Sequence, residues 1–532
     1  MRAAREIGRS GDNDTLPYDP DARFIKEKAE ELSDLCHSLS EYIASLATDD
    51  DAKGFVNSLE VFSERLLAPA GAHGFRIITK IHPFWNLYLN GLAIAISEKV
   101  EGRRSQRVYS YRASNDSDRM FDPSRSWPAY RLATSNAASA GGAVVVQTDI
   151  SSFYERIYHH RLENLLSEYV SIGDRIPLQM DRLLSKMSAG RSFGLPVGGQ
   201  CSRVLAEVML LPIDDTLTEE GVEWFRFVDD FTLLCDSQES AYRALSILSH
   251  ALADYGLSLN RTKTTILSAR HFNDYVTAQL GDDSPESISL RQLDLHFDPY
   301  SDNALTEYRN LQQTVSAIDF EFLLNLERQK SQPDNFVVSQ ISRSLQYQAP
   351  ETAASLCATL LDPQNLDAFR ASWSKILRGV YAVRSNVEFE AVFDEIDGKL
   401  DCIPRSVSHL LLPEVNSLHF LRLLRFKKTE PRARYVRQLF DQTRSVTVKR
   451  ACIECWQYWN DNPNFTRLRN QWPGLSPEVQ RMLWLSAPSF GDDGTHARQQ
   501  LKRSAGQYWA LGFEQACAAS FSDIFIEWSR SA

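Results

Sequence analysis

Two adjacent aspartates, Asp229 and Asp230, lie in an otherwise apolar stretch of the chain. Neighbouring charges in such surroundings are costly unless something pairs them. Divalent cations prefer carboxylate oxygens as ligands. The flanks at 225–228 and 231–234 are typical of two short strands, which would place the pair in a hairpin turn. Because acidic turns are often simply solvated, the pair indicates a metal site only together with other residues.

A third carboxylate, Asp149, lies upstream of the pair. It follows the strand-like run at 144–146 and precedes a helix-like stretch that starts near Ser152. Three carboxylates at the ends of strands, in this order, are what a two-metal centre for phosphoryl transfer needs. The sequence therefore predicts a nucleotidyl-transfer site built on a sheet.

Two further segments complete a recognisable series. A turn-rich run at Gly194–Ser202 feeds a helix-like stretch, and a second run, Gly256–Thr264, follows the acidic hairpin. Together with Asp149 and the acidic pair, these segments resemble motifs A to D of reverse transcriptases. The resemblance implies a right-hand polymerase palm that uses deoxynucleoside triphosphates (dNTPs) and is an RNA-directed DNA polymerase.

The resemblance also implies a set of metal ligands. Asp149 and Asp229 would hold two Mg²⁺ ions, for which Mn²⁺ is the alternative. Asp230 would be a weaker ligand, and the backbone carbonyl of Ile150 a further one.

Two side chains receive catalytic or selective roles by the same resemblance. Tyr154 would close the pocket beneath the sugar and exclude a 2′-hydroxyl, although it could also be a core aromatic. Lys263 would protonate or steady the leaving pyrophosphate, although a surface lysine near a turn is the alternative.

The motif B run supplies substrate-binding candidates. Gly198 permits a close approach of the backbone, and Gln200 and Ser202 begin the helix expected beneath the nascent base pair. Many members of the family carry Gln at the position of Val197. This departure puts in doubt how the template strand is held.

A phosphate-binding residue is expected in the fingers. Arg112 is the first candidate to clamp the triphosphate, because guanidinium groups bind phosphate oxygens in pairs. Arg104 and Arg107 are weaker candidates.

The motifs resemble those of one group in particular, the abortive-infection and other defence-associated reverse transcriptases of bacteria. The residues that carry this likeness are Thr148–Tyr158, Gly194–Gly198, Phe227–Asp230 and the fingers-like run Arg107–Arg112. The resemblance implies antiphage defence, protein-primed synthesis or a partner noncoding RNA, and a homo-oligomer. Two alternatives stay open: a templated enzyme of the retron or group II intron type, and a non-catalytic nucleic-acid scaffold.

The chain divides into three expected parts of an α+β protein. Residues 1–70 are expected to form a helical extension whose first 15 or so residues are disordered. Residues 71–300 would be the fingers and palm. From 301 to 532, amphipathic stretches broken by proline predict an all-α, possible helical-repeat domain that takes the place of a thumb.

Composition narrows the class of protein. No run of 18 apolar residues predicts a membrane helix, and the polar N-terminus does not resemble a signal peptide. Scattered cysteines favour a reducing compartment, the bacterial cytoplasm. Cys452 and Cys455 lack partners at zinc-site spacing, so they are interpreted as core thiols.

One stretch is strongly basic although the net charge is −11. Residues 421–450 contain ten basic and two acidic side chains. Such a stretch either tracks a nucleic-acid backbone or forms the solvated faces of amphipathic helices. The residues proposed to bind nucleic acid are Arg425, Lys427, Lys428, Arg432 and Arg434.

Overall fold

A four-stranded antiparallel sheet is the centre of the first half of the protein. The computed structural model describes residues 1–280 and 304–531, apart from 72, 117, 142, 171–173, 331–332 and 515–516. The strands are β3 (Val144–Asp149), β4 (Glu223–Phe227), β5 (Asp230–Cys235) and β6 (Thr265–Ser268), in the order β4-β5-β3-β6. The β-branched run at 144–146 fits a central strand, because branched side chains pack well on a pleated surface.

A separate two-stranded hairpin precedes this sheet. We call β1 (Ser63–Ala70) and β2 (Gly74–Ile81) the fingers hairpin, whose strands pair antiparallel along their whole length. The expected boundary at residue 70 therefore falls inside a hairpin, and the two strands must belong to one unit.

Helices pack around the four-stranded sheet and the fingers hairpin. The long helix α10 (Gln200–Glu219) leads from motif B and packs against the sheet strand β4 and against α5 (Pro83–Val100) and α11 (Gln238–Asp254). The other helices of this half are α1 (Arg2–Ser10), α2 (Pro20–Glu27), α3 (Ala29–Ser45), α4 (Asp49–Ser58), α6 (Trp127–Ala140), α7 (Phe153–Arg156), α8 (His159–Tyr169), α9 (Ile176–Met187) and α12 (Ala269–Leu280).

The second half is helical wherever the structure describes it. Short 3₁₀ turns join successive helices, many of which begin at a proline or at an Asp, Ser or Thr cap. These helices are α13 (Ala304–Ser316), α14 (Phe320–Gln329), α15 (Asn335–Ser344), α16 (Pro350–Leu360), α17 (Pro363–Ala368), α18 (Trp373–Arg384), α19 (Phe393–Ser406), α20 (Glu414–Leu424), α21 (Glu430–Gln442), α22 (Val446–Tyr458), α23 (Asn462–Asn470), α24 (Pro477–Ser486), α25 (Gly491–Tyr508) and α26 (Phe521–Trp528).

The N-terminus differs from expectation. Where disorder was predicted, Arg2–Ser10 form helix α1, which buries Ala3, Ala4 and Ile7. The Glu6 carboxylate accepts a hydrogen bond from the Met120 backbone N–H at 3.0 Å. Contacts of this kind hold a polar segment that has too few apolar residues to fold alone. The expected boundary at residue 300 lies outside the described residues.

Within the described ranges, no helix combines the length and apolar character that crossing a bilayer requires.

Candidate active site

The three predicted carboxylates meet at one end of the sheet. Asp149 ends β3 and is the register partner of Asp230, which begins β5, while Asp229 lies in the turn between β4 and β5. The Ile150 N–H donates to the Asp229 carbonyl at 3.2 Å. The sheet register thus brings together residues about 80 positions apart in the sequence.

Asp149 is contacted by two residues, Asn260 and Lys263, from the segment that follows the acidic β4–β5 hairpin of motif C. Lys263 Nζ lies 2.6 Å from Asp149 Oδ2, and the Asn260 side-chain amide donates to the same oxygen at 3.2 Å. The Asn260 backbone N–H also donates to the Asp149 carbonyl at 2.7 Å. The motif D segment therefore fixes Asp149 from backbone and side chain. Sequence reasoning did not find Asn260, although its place three residues before Lys263 was a usable signal.

The electrostatics of this end of the sheet are those of crowded anions. Burial, together with the charges of Asp149 and Asp230, raises the pKa of Asp229 to about 7. Burial and Asp149 raise the pKa of Asp230 to about 6. The hydrogen bond to Asp149 raises the pKa of Lys263, which keeps this side chain protonated. The centre therefore holds more negative charge than Lys263 offsets.

The donor set fits divalent cations. Within the described part of the chain, no three Asp, Glu, His or Cys side chains lie close enough together to coordinate a metal ion as they stand. The three carboxylates nevertheless supply hard oxygen ligands, and their mutual repulsion is of the kind that a bound cation relieves. Lys263 is the countercharge that a metal would have to share or displace at Asp149.

A buried polar network supports the acidic turn. Val228 has φ of +55°, which is strained for a β-branched residue. Its N–H donates to Ser110 Oγ at 2.8 Å, and its carbonyl accepts from Arg226 Nη1 at 3.0 Å. Glu207 bonds both Ser110 and Arg226, and the Asp214 carboxylate takes the rest of the Arg226 guanidinium. The network holds the turn in the conformation that carries Asp229.

Motif B is covered by the N-terminal strap, the name used here for residues 11–16. Gly198 has φ of +105°, and the Asn13 side chain fills the space where a Cβ would lie. The Asp14 N–H donates to the Gly198 carbonyl at 3.3 Å. Gly198 thus permits a close approach, as predicted from its type, but the partner here is the protein's own strap.

The other two motif B candidates differ in their freedom. The buried Ser202 donates its hydroxyl to the Pro196 carbonyl, so it stabilises the turn. Gln200 begins α10 and accepts from Arg203 Nη1 at 2.7 Å. Arg203 also pairs with Asp14, Nη2 to Oδ2 at 2.6 Å, and lies over the Tyr111 ring at 4.9 Å. Sequence reasoning missed Arg203, and its place one turn into the motif B helix was the available signal.

Tyr154 lies in α7 near the acidic centre. The pKa of Tyr154 lies well above its usual value. The main cause is burial, and the nearby Tyr111, Glu207 and Asp229 add to it. Its ring packs on Phe153 with centroids 5.5 Å apart. This position is compatible with both the gate and the core-aromatic interpretations.

Arg112 does not face the carboxylates. Its guanidinium bonds the Glu101 carboxylate and donates to the Ser105 carbonyl at 2.7 Å, and the residue is 8% exposed. Arg104 likewise forms ion pairs with Glu101 and Glu207. Arg107 donates through Nη1 to the Val222 carbonyl at 3.4 Å. The fingers arginines therefore build the fold around the network, and the geometry does not favour Arg112 as a free triphosphate clamp.

The five basic residues proposed to bind nucleic acid are all paired with carboxylates, most of which lie outside the stretch 421–450. The buried Arg432 bonds both Asp397 and Asp401. Each of the other four proposed residues also has an acidic partner: Arg425 with Glu454, Lys427 with Asp394, Lys428 with Asp461, and Arg434 with Glu430. The local excess of positive charge therefore does not form an open groove at these five residues.

Comparison with known proteins identifies the domain that contains the carboxylates. Residues 99–299 match the family described as reverse transcriptase (RNA-dependent DNA polymerase). The chain contains a reverse transcriptase domain. The predicted enzyme class, an RNA-directed DNA polymerase, is confirmed, and the non-catalytic scaffold is not retained. No curated protein matches the chain.

The solved structures that match this reverse transcriptase domain protein have low sequence identity and low structural similarity to it. Apo telomerase from Candida tropicalis is 13% identical with a TM-score of 0.33, over 72% of this chain and 74% of that one. Telomerase from Candida albicans with the TWJ fragment of telomeric RNA is 13% identical with a TM-score of 0.32, over 74% of this chain and 66% of that one. At this level the likeness supports no conclusion about function.

Proposed function

We propose that the protein extends a DNA strand with dNTPs at the end of the β3–β5 sheet. The observation that carries the proposal is the meeting of Asp149, Asp229 and Asp230 at that end, next to a lysine. Two Mg²⁺ ions held by Asp149 and Asp229, with Asp230 and the Ile150 carbonyl as lesser ligands, would activate the attacking hydroxyl and neutralise the triphosphate.

The chain's own side chains orient the substrates in this proposal. Protonated Lys263 donates a proton or its charge to the leaving pyrophosphate. Tyr154 excludes the 2′-hydroxyl of a ribonucleotide. Arg203, beside Gln200 on the motif B helix, replaces Arg112 as the residue that contacts the triphosphate, because its charge is held by a single exposed carboxylate, Asp14, and not by a buried network.

The biological role is proposed to be antiphage defence in the bacterial cytoplasm, by a homo-oligomer that uses protein-primed synthesis or a noncoding RNA. Its support is the motif run Thr148–Tyr158 with its partners at Gly194–Gly198 and Phe227–Asp230. A templated enzyme of the retron or group II intron type is the alternative.

One experiment separates these mechanisms. Purified protein is incubated with labelled dNTPs and Mg²⁺, with and without its co-purified RNA. One portion of the product is treated with protease and run on a gel, and another portion is sequenced. A labelled product that changes mobility after protease supports protein priming. Absence of any incorporation would contradict the polymerase proposal. Plaque counts on cells with wild type or Asp229→Asn test the defence role, and equal counts would refute it.

A further inference from the structure

A single asparagine, Asn260, closes the turn that carries Lys263. We call residues 260–264 the motif D turn. The Asn260 carbonyl accepts from the Lys263 N–H and the Thr264 N–H, each at 3.1 Å, and from Thr264 Oγ1 at 2.9 Å. Its side-chain oxygen accepts from the Thr262 N–H at 3.2 Å and from the Thr262 hydroxyl at 2.8 Å. Asn260 thus fixes the turn from its first residue, as asparagine side chains commonly do.

The motif D turn is fastened to the chain that carries Asp149. The Asn260 N–H donates to the Asp149 carbonyl at 2.7 Å, and the Ser151 N–H donates to the Ser258 carbonyl at 2.8 Å. These main-chain bonds hold the start of the turn against the end of β3. The turn therefore cannot move away from Asp149 unless they break.

The Asn260 side chain suits both of its neighbours because an amide has a donor end and an acceptor end. Nδ2 donates to Asp149 Oδ2 at 3.2 Å, while Oδ1 accepts from Thr262. An aspartate at this place would direct a second negative charge at Asp149, and an alanine would leave both contacts unmade. The two contacts together explain why the position holds an asparagine.

Lys263 reaches the same carboxylate oxygen from further along the turn. Its Nζ lies 2.6 Å from Asp149 Oδ2, and the Lys263 side chain is 63% exposed, against 8% for Asp149. An exposed ion pair of this kind is weak, because water competes for the charge. The Lys263 amine can therefore leave Asp149 by rotation of its own side chain, while the turn and the Asn260 amide stay in place.

We propose that Asn260 is a positioning residue, which keeps Asp149 Oδ2 directed at the metal site and the main chain of Lys263 fixed while the Lys263 amine moves from Asp149 to the leaving pyrophosphate. The inference rests on the proposed polymerase function and adds to it a link between Asp149 and Lys263. Hydrogen-bond partners orient a ligating carboxylate, and their loss typically costs roughly 10- to 100-fold in metal affinity. Lys263 has the opposite effect, because its charge competes with a cation for the same oxygen.

The first test measures metal binding without catalysis. Full-length protein is titrated with Mn²⁺ in the absence of nucleotides, and the free ion is followed by electron paramagnetic resonance. We expect Asn260→Ser to weaken Mn²⁺ binding roughly 10- to 100-fold, because its hydroxyl can still accept from the Thr262 N–H but is too short to reach Asp149. Lys263→Ala should instead tighten Mn²⁺ binding several-fold. Opposite changes from two residues of one turn are not what a general loss of structure produces.

The second test is a double-mutant cycle on steady-state incorporation. Asn260→Ala should lower kcat roughly 10- to 100-fold and leave KM for dNTPs within about twofold. Part of this loss comes from a displaced Lys263, so Asn260→Ala should cost less in the Lys263→Ala background. An equal loss in both backgrounds would remove the link to the lysine. If Asn260→Ala fails to fold by circular dichroism, Asn260→Ser, which keeps the turn contact, takes its place in the cycle.

A matched control comes from a second turn asparagine. Asn386, in the helical half, accepts from the Glu388 N–H at 3.1 Å in the same way, and Asn386→Ala should leave Mn²⁺ affinity and kcat unchanged. Wild-type Mn²⁺ affinity in a folded Asn260→Ser protein, or the same loss in Asn386→Ala, would overturn the positioning role alone. Failure of the polymerase proposal is a separate result, seen when the wild type itself neither binds Mn²⁺ nor incorporates dNTPs, and it would overturn this inference as well.

Discussion

Asp14 in the N-terminal strap and Arg203 in the motif B helix form an ion pair, 2.6 Å between Oδ2 and Nη2. Arg378 Nη2 holds the strap by its main chain, 3.2 Å from the Asp14 carbonyl, and the Arg76 guanidinium donates to the Thr15 hydroxyl at 3.0 Å. The strap carboxylate therefore pairs with a guanidinium of the motif B helix, in the way that a phosphate would.

The first prediction follows from this pair. Asp14→Ala frees Arg203 for the triphosphate, so KM for dNTPs should fall several-fold while kcat stays within about twofold. Asp118→Ala removes another exposed pair of the N-terminal region, with Arg5 at 2.6 Å, and should leave KM unchanged. Steady-state incorporation kinetics provide the measurement. A higher KM in Asp14→Ala would show instead that the strap positions Arg203 for catalysis.

The second prediction concerns Asp229. Asp229→Asn should abolish incorporation and remove the Mg²⁺-dependent rise in Tm. Without metal, its free energy of unfolding should hold or rise, because burial, together with the charges of Asp149 and Asp230, already disfavours the charged form of Asp229. Asp236→Asn, an exposed change beyond the other end of β5, is the control. Incorporation by a folded Asp229→Asn protein would remove Asp229 from the metal site.

The third prediction tests the sugar gate. Tyr154→Ala removes the ring and should raise ribonucleotide use relative to deoxynucleotide use by at least about tenfold, whereas Tyr154→Phe keeps the ring and should retain selectivity. The ratio of kcat/KM for a matched rNTP and dNTP is the measurement. If both variants are active with the wild-type ratio, Tyr154 is a core aromatic only.

The fourth prediction separates fold from binding in the basic stretch. Arg432→Met removes one of the two arginine partners of the buried Asp397, which keeps Arg384, and also the partner of the half-buried Asp401. It should cost about 3 kcal/mol in the free energy of unfolding, the lower end for a broken buried pair. Arg434→Met breaks an exposed pair and should cost less than about 1 kcal/mol. Urea unfolding compares them. Similar stabilities would argue that Arg432 is free to bind a ligand.

The fifth prediction concerns pH. His419 is buried and bonds the Thr15 carbonyl at 3.0 Å; burial, with the charges of Arg378, Arg422 and Lys375, lowers its pKa from 6.5 to about 3. The unfolded chain therefore binds the proton more readily, so stability is complete above pH 6.5 and falls as pH drops toward 3. The loss approaches about 1.4 kcal/mol per pH unit.

A matched pair of variants isolates this effect. His419→Gln can still donate to Thr15 and should flatten the fall in unfolding free energy between pH 6.5 and 5. His37→Gln, an exposed histidine beside Glu41, should not. A wild-type pH dependence in His419→Gln would assign the effect to other groups.

The amino-acid sequence by itself determined the local features of this protein. Two adjacent charges in an apolar run predicted a hairpin turn. The order of Asp149, motif B and the acidic pair resembled that of reverse transcriptases. The proline-broken amphipathic stretches after residue 304 indicated helices. These features are encoded over a few residues, by periodicity, turn chemistry and charge, so a single sequence is enough to read them.

The partners of long polar side chains were decided only by tertiary structure. Arg112, Arg432 and Arg203 look alike as sequence, yet one joins Glu101, one is buried on two aspartates, and one meets the strap almost 190 residues away. Helix α1 likewise depends on docking. The free energy of such contacts comes from burial and from charges that chain folding brings together, and neither is a property of local sequence.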